Sequence, residues 1–470
     1  MNFTGYTIAR YNRTIERVAR FKPVFAMGVL LAMGICAFAT LVFVGGYSLF
    51  PAASTTDLKW LTLVWVIPVP LVAYRGLAYL GWFHARDFTF GVPHMARGRP
   101  LVIFQVTSTG VEAGTVANTI ASVQYWADRS VLGYDIAVWA VLEPAGYLQN
   151  QAAFETLATK GAHVFIVPAK YRCINGSVRK NRALEYAIAL RRYAGFDGAN
   201  VWVYHQDDET AVGEDTLRGI DEFLWEHGDR PALGTGIIIY PQHGADYRPG
   251  VVADFNRSKD DFGVLCSLTR FDGNVSPGFH GSHYIVRSDV EASVGFDFGP
   301  EFPNVDDMVF ETRVTQAFGP IVHMMRGFGY EQSPFTLRDQ AKQRRRWFWG
   351  LRATLLHQPM NPARRFALGY GAFAWLSAAV ALLVTPLPFF VRLGYLLPLG
   401  LWFFGLTWAM MVLGYILGYL LQVEYNPRLV PLWQTVGHGL VGGVVDSLSP
   451  WYGLLTQARG RFEVVRKDRH

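Results

Sequence analysis

The densest chemistry in the sequence is the run Asp207-Asp208-Glu209, which closes the apolar stretch 201–206. Neighbouring carboxylates repel one another unless solvent or a cation relieves them. A hard cation such as Mg²⁺ or Mn²⁺ does so through one or two carboxylates, completing its shell with water and substrate phosphates. On an extended chain Asp207 and Glu209 point to the same side. Those two are therefore the candidate metal ligands, with Asp208 between them. A solvated acidic turn is the plainer alternative, and the position at the end of a core-like strand weighs against it.

Other residues carry complementary chemistry. Asp306-Asp307 opens the helical pattern 308–317. A carboxylate at a helix N-terminus is stabilised as the anion, which makes it a weak base. Apolar surroundings or a nearby phosphate would raise its pKa into the range useful for taking a proton. Lys180 is among the cations that begin the helical pattern 177–193. Cations there oppose the helix dipole, so a bound anion is expected beside them. The run Gln343-Arg-Arg-Arg346-Trp347 lies in a basic, aromatic helix that starts at Thr336 with Asp339, a capping-box-like signal. Such a helix either anchors at a lipid interface or sets Arg346 against a diphosphate and Trp347 against a sugar or acceptor ring. Glu143 ends a second apolar run. His280-Gly-Ser-His283 reads as strand or loop. On a strand its two rings would face opposite ways, so the pair is not read as a metal site.

The elements that must position these residues are legible as well. Short apolar runs at 101–107, 135–142, 163–167 and 201–205 alternate with helical periodicity at 113–127, 150–159 and 177–193. That alternation predicts an α/β domain with a Rossmann-like, mostly parallel sheet. Ligands of such sheets bind beyond the carboxyl ends of the strands, where Glu143 and Asp207 stand.

With 51% hydrophobic residues the chain is apolar for its 470 residues, and its mean hydropathy is +0.16. Apolar stretches at 24–47, 60–82, 366–391 and 393–421 have the length of membrane spans. Arginines and lysines crowd 10–22 and 459–469 and are absent from 48–58, which places both termini and the large central block on the cytoplasmic side. The stretch 436–456 carries Asp446 and several glycines; it reads as re-entrant or interfacial, with a fifth span as the rival. The net charge of +6 suits a membrane surface or a phosphate-bearing substrate. No zinc-finger spacing points to nucleic acid, the charge excess is small, and no nucleic acid is expected as a partner. Cys36, Cys173 and Cys266 are too far apart in sequence for a CxxC metal pair, which suits a reducing compartment. An ion-coupled transporter would place acids within its spans; here the four stretches have none.

Taken in order, Lys180, Asp207-x-Glu209, Asp306-Asp307 and Gln343-x-x-Arg346-Trp347, flanked by spans, resemble the membrane-bound synthases of glycosyltransferase family 2. His205-Gln-Asp-Asp-Glu-Thr-Ala and Tyr330-Glu-Gln-Ser-Pro-Phe-Thr-Leu are similar to one branch, the egghead-type β-1,4-mannosyltransferases. The resemblance covers roughly 100–356. It implies a GT-A-like catalytic domain. Asp207 and Glu209 match the metal-binding acids, and Asp307 matches the general base. Asp306 stands where the family has Glu, with its role open. Gln343, Arg346 and Trp347 match the motif lining the diphosphate and acceptor site. Lys180 matches a lysine near the nucleotide, Glu143 an acid contacting the base, and His280–His283 the acceptor side.

The implied reaction is inverting transfer from a nucleotide-sugar with Mg²⁺ or Mn²⁺. GDP-mannose is the favoured donor, with a UDP-sugar such as UDP-glucose second. The acceptor is a polysaccharide or a glycolipid at the bilayer, with processive synthesis open; an inactive polysaccharide-binding protein is the rival class. The expected organisation is a cytosolic segment 1–23, spans in 24–83, the cytosolic transferase domain 84–333, and a basic interfacial region 334–364. Spans in 365–421, the undecided segment 422–457 and a basic cytosolic tail 458–470 follow. A prokaryotic chain of this kind would sit in the inner membrane.

Overall fold

A computed structural model describes residues 3–21, 34, 66–241, 249–270, 279–302, 306–384, 397–426 and 431–456. The chain opens on helices α1 (Ile8–Arg20) and α2 (Val69–Leu80). It then runs through β1 (Leu101–Ser108), α3 (Ala113–Ala127), β2 (Asp135–Leu142), the short α4 (Pro144–Gln149) and α5 (Gln151–Thr159). Next come β3 (His163–Ile166), α6 (Lys180–Ala194), β4 (Val201–Gln206), α7 (Glu214–His227) and β5 (Leu233–Ile239). These are followed by α8 (Pro249–Arg270), β6 (Tyr284–Arg287), α9 (Ser288–Val294), α10 (Asp306–Phe318) and β7 (Val322–Tyr330). The last helices are α11 (Leu337–His357), α12 (Pro362–Val384), α13 (Leu397–Gln422) and α14 (Leu432–Leu455).

The strands form one mixed sheet in the order β3-β2-β1-β4-β6-β5-β7. β1 pairs in parallel with both β2 and β4, and β2 with β3. β6 runs antiparallel to β4 and β5, and β5 is parallel to β7. The four strands read from the sequence form the parallel half, within a residue of the expected ends. They are mostly apolar and show no strict polar alternation, as expected of strands covered on both faces by helices. Val102, Phe104, Val106, Trp202 and Tyr204 are buried. The other three strands escaped the sequence reading. β5 and β7 are interrupted by glycines, and β6 has 4 residues.

Successive strands go to opposite sides of β1: β2 lies to one side and β4 to the other. That is a topological switch point, where the loops leaving two adjacent strands part and open a crevice. Ser108 and Asp207 stand at its two lips.

α1 and the residues before it are docked on the domain: the Tyr6 ring stacks on Tyr330 at 3.7 Å, Glu214 N–H donates to Tyr6 O at 2.8 Å, and the Tyr11 ring of α1 lies 4.6 Å from that of Phe328. Arg17 pairs with Glu424 just past α13. The expected span 24–47, Gly34 apart, and the tail 458–470 lie outside the described residues. Of 60–82, the described part forms α2 and a following 3₁₀ turn. Among the described residues one helix, Pro362–Val384, is long and apolar enough to cross a membrane, and Ala409–Gln422 is a shorter apolar stretch.

Residues 432–455 form one continuous helix laid against α11 and α8. Small residues allow the approach: a Cβ on Gly442 would come within 2.5 Å of Pro249 O. Its Asp446 accepts from Arg344 Nε at 2.5 Å and from Gln340 Nε2 at 3.1 Å. Arg344 also pairs with Asp254, with only 3% and 1% of the two side chains exposed. Removing one partner of a buried pair strands the other charge. Arg344→Met is expected to lower stability by about 3–5 kcal/mol. A thermal scan in detergent checks this, and adding Asp254→Leu should recover much of the loss.

Candidate active site

β4 ends at Gln206, and the chain then turns: Thr210 N–H donates to Asp207 O at 3.1 Å. This corrects the extended-chain reading of Asp207 and Glu209, because strand geometry stops one residue too early to set their directions. The turn is pinned on both sides. Ser108 Oγ donates to Asp208 Oδ2 at 2.9 Å, and Thr119 Oγ1 donates to Asp208 O at 2.7 Å. Thr210 Oγ1 donates to Glu331 Oε1 at 2.9 Å. Asp208 is thus the anchor of the turn. Burial, a proton shared with Glu209 and the adjacent charges raise its carboxyl well above the usual range. Burial raises Asp207 to about 6; Lys180 opposes this, while Glu209, Glu331 and Asp306 add to it.

Lys180, at the start of α6, bridges two acidic elements. Its Nζ lies 2.7 Å from Asp207 Oδ1 and 2.9 Å from Asp306 Oδ2. Burial alone would lower the ammonium pKa, but the two carboxylates override it and hold it above its ordinary value. Arg182, two residues further along the helix, pairs with Glu143. Carboxylates from the turn after β4, from α10 and from the end of β2 thus face these cations.

Asp307 follows Asp306 at the start of α10, with Met308 N–H donating to its Oδ1 at 2.7 Å. Burial, then the neighbouring Asp306, push its carboxyl up to about 6, against the pull of Lys180 and that N–H. A carboxylate tuned to that range is ionised at neutral pH and still basic enough to receive a proton.

Gly281 makes room for this cluster. Its carbonyl accepts from Lys180 Nζ at 3.2 Å. A Cβ there would lie 3.2 Å from Lys180 Nζ and 3.5 Å from Asp306 Oδ2 and Asp307 Oδ2. Gly281→Ala is expected to cost activity about 10-fold with little change in melting temperature, since sub-ångström displacement of reacting groups is expensive. Parallel rate and thermal measurements check this.

α11 begins as expected, with Thr336 Oγ1 accepting from Asp339 N–H at 3.1 Å. It lays Gln343, Arg346 and Trp347 along the same cavity. Arg346 is half-buried in the field of Asp207, Glu209, Asp306 and Asp307; loss of solvent lowers its pKa and the four carboxylates work against that. Trp347 has the Arg344 and Arg257 guanidinium groups 4.2 Å and 5.0 Å from its ring centre. The residues expected to carry the chemistry, Glu143, Lys180, Asp207, Glu209, Asp307, Gln343, Arg346 and Trp347, all line this one cavity of about 1870 Å³.

The cavity also holds residues the sequence reading left out. Arg257 and Asp261 come from α8, and Glu331 from the end of β7. Glu331 was within reach, because it stands in the quoted Tyr330-Glu-Gln-Ser run. The histidine pair separates: His280 faces the cavity, and His283 is a core residue. Its Nδ1 lies 2.6 Å from Tyr204 OH, and burial drives its pKa down to about 3.

Residues 202–425 match the model of the glycosyl transferase family group 2. Over these residues the chain is similar to family 2 glycosyltransferases. The chain is 28% identical over 68% of its length to the β-1,4-mannosyltransferase egh of Drosophila melanogaster, spanning 66% of that protein. It is 27% identical to the β-1,4-mannosyltransferase bre-3 of Caenorhabditis elegans, over 45% of each chain. The chain thus spans just under two thirds of the first relative and under half of the second. Among solved structures, mannosyltransferase PcManGT from Pyrobaculum calidifontis in complex with GDP-Man and Mn²⁺ superposes with a TM-score of 0.45. That match has 16% identity and covers 82% of this chain and 99% of that one. S. aureus TarS 1–349 in complex with UDP gives a TM-score of 0.32 at 11% identity, covering 78% of this chain and 95% of its own.

Proposed function

We propose that the protein transfers mannose from GDP-mannose, with inversion, to the sugar of a lipid-linked acceptor, forming a β-1,4 linkage. The observation that carries this is the convergence of Asp307, Lys180 and Arg346 with Asp207 in one cavity at the switch point. The names of the egh and bre-3 relatives support mannose and the linkage. Asp307 takes the proton of the acceptor hydroxyl as its oxygen attacks the anomeric carbon. The bond from that carbon to the diphosphate breaks, and Lys180 and Arg346 stabilise the departing charge. A single base suffices, because no glycosyl-enzyme forms. Gln343 and Trp347 line the diphosphate and acceptor region, and Glu143 the nucleotide region.

A divalent cation fits this site. Asp207 and Glu209 supply hard oxygen ligands, and the carboxylates around Asp207 already draw in the Lys180 ammonium. Among the described residues no three His, Cys, Asp or Glu side chains form a cage; a Mg²⁺ or Mn²⁺ completed by substrate phosphates needs only one or two carboxylates. When bound, the ion would neutralise diphosphate charge.

The far end of the cavity supports a lipid tail. It is lined by Leu368, Gly371, Ala374 and Ala378 of α12 and by Met410 and Met411 of α13. In this reading α12 and α13 are membrane helices of a multi-pass protein whose catalytic domain faces the cytoplasm.

Calorimetry with purified protein tests the donor assignment. GDP-mannose should bind at least about 10-fold more tightly than UDP-glucose, and EDTA should weaken it. Preferential binding of UDP-glucose would replace the mannose assignment.

A further inference from the structure

Three cations stand four residues apart along α11: Arg338, Lys342 and Arg346. All three line the cavity, and the spacing keeps them on one face of the helix. Arg346 lies in the field of Asp207, Glu209, Asp306 and Asp307. Lys342 and Arg338 follow about 6 Å and 12 Å along the helix axis. Just before Arg338, Phe335 packs on the same small apolar cluster as Met411, a cluster that includes Tyr415. These three side chains line the cavity as well. The row of cations therefore leads from the reacting centre to the apolar end that the lipid tail would occupy.

The outer two cations are not explained by the packing of the helix. Arg338 is the second residue of α11, where a positive charge opposes the helix dipole. It is exposed, and among the described residues no carboxylate pairs with it. Lys342 gives one N–H to Asp339 Oδ1 at 2.9 Å. Its side chain is 28% exposed, and an ammonium has two further N–H groups to give. The other acids nearby are engaged elsewhere. Asp254 and Asp446 take Arg344, Asp260 takes Lys259, and Asp261 faces His280. A donor diphosphate held by Lys180 and Arg346 does not extend to Arg338, which lies about two helical turns further along.

We infer that Lys342 and Arg338 bind a phosphate that joins the acceptor sugar to its lipid. The acceptor is then a glycosyl phosphate or diphosphate of a long-chain alcohol, not a neutral glycolipid. This deepens the glycosyl-transfer reading above and rests on it. With the attacking hydroxyl at Asp307, the opposite side of the acceptor ring points along the row. The glycosidic phosphate falls at Lys342, and the alkyl chain runs past Arg338 to Phe335 and Met411. The pair suits a phosphate: an ammonium supplies a point charge, and a guanidinium a planar fork of donors. The headgroup of a bystander phospholipid offers the same chemistry, and the test separates the two sources.

Full-length protein in detergent is given radiolabelled GDP-mannose and paired octyl acceptors of glucose, galactose and mannose. Each pair is the β-glycoside and the same sugar joined to octanol through phosphate. For the best sugar, the phosphate-linked acceptor should exceed its neutral twin in kcat/KM by about 10-fold or more. That advantage should shrink as salt is raised. Arg338→Gln should lower kcat/KM for the phosphate-linked acceptor about 10-fold, chiefly through KM, with the donor KM kept within about 2-fold. Equal use of the two acceptors by the wild type overturns the inference. A rise in donor KM in the variant also overturns it, because the cations would then serve the nucleotide. In nanodiscs, stimulation of both acceptors alike by phosphatidylglycerol would give the cations to a bystander headgroup and overturn it too. Should Arg338→Gln fail to fold, Lys342→Gln and the wild-type comparison decide. Transfer to none of the acceptors removes the transferase reading, and this inference with it; equal transfer to both members of each pair removes this inference alone.

Discussion

Asp307→Asn is expected to keep GDP binding and to lose sugar transfer by about 10²–10⁴-fold, the usual contribution of a positioned base. The amide keeps the shape of the carboxyl and can still accept from Met308 N–H, which now holds Asp307 Oδ1 at 2.7 Å. What disappears is a site able to take a proton near neutral pH. Burial and the adjacent Asp306 put the Asp307 carboxyl at about 6. The active form is the anion, so wild-type kcat/KM should climb as pH rises through about 6 and level off above it. In the Asn variant the residual rate should lack that limb. Single-turnover rates across pH, paired with GDP calorimetry, check both statements. Weak GDP binding by the variant would move Asp307 from proton transfer to donor binding.

Lys180→Met should lower activity at pH 7 by about 10²–10³-fold, the scale of losing one charge-stabilising donor in an active site. It should also shift the acidic limb upward. The shift follows from the geometry: Nζ lies 2.7 Å from Asp207 and 2.9 Å from Asp306, and its charge holds down the pKa of Asp307. Without it the remaining carboxylates face one another, and each is harder to ionise. Part of the lost rate should therefore return at higher pH, whereas the part owed to the leaving diphosphate should not. An unshifted pH profile with less than about 10-fold loss would separate Lys180 from the reacting centre.

Much of this architecture was legible before the structure. Helix 113–127 was expected at its observed ends, and Asp307 was expected where α10 now begins. Apolar periodicity and strand–helix alternation are local signals, and they sufficed to place Glu143 and Asp207 at one edge of a sheet. Ionic partners are not local. Lys180 looked like a cation awaiting an anion, and its carboxylates come from 27 residues and more than 100 residues away in sequence. The basic helix 337–357 looked as suited to lipid headgroups as to phosphate. In the fold Arg344 turns inward to Asp254 and Asp446, while Arg346 meets the acidic cluster. Arg257 and Asp261 carried no motif at all. They matter because α8 is laid across the cavity against β5 and α14, an arrangement set by tertiary packing.

The turn at Asp207-Asp208-Glu209 shows the same limit at short range. Strand alternation would have aligned Asp207 with Glu209, but the chain leaves the sheet at Gln206. Ser108 and Thr119 then fix Asp208 as an anchor. A period-two argument ends where the ladder ends.

One measurement tests the central claim directly: the anomeric configuration and linkage of the product, read by NMR. Purified protein would be incubated with GDP-mannose, Mn²⁺ and the best octyl glycoside acceptor, with Asp307→Asn in parallel. A β-linked mannoside from the wild type and none from the variant is the expected result. An α-linked product, or equal product from both proteins, would contradict inverting transfer with Asp307 as the base.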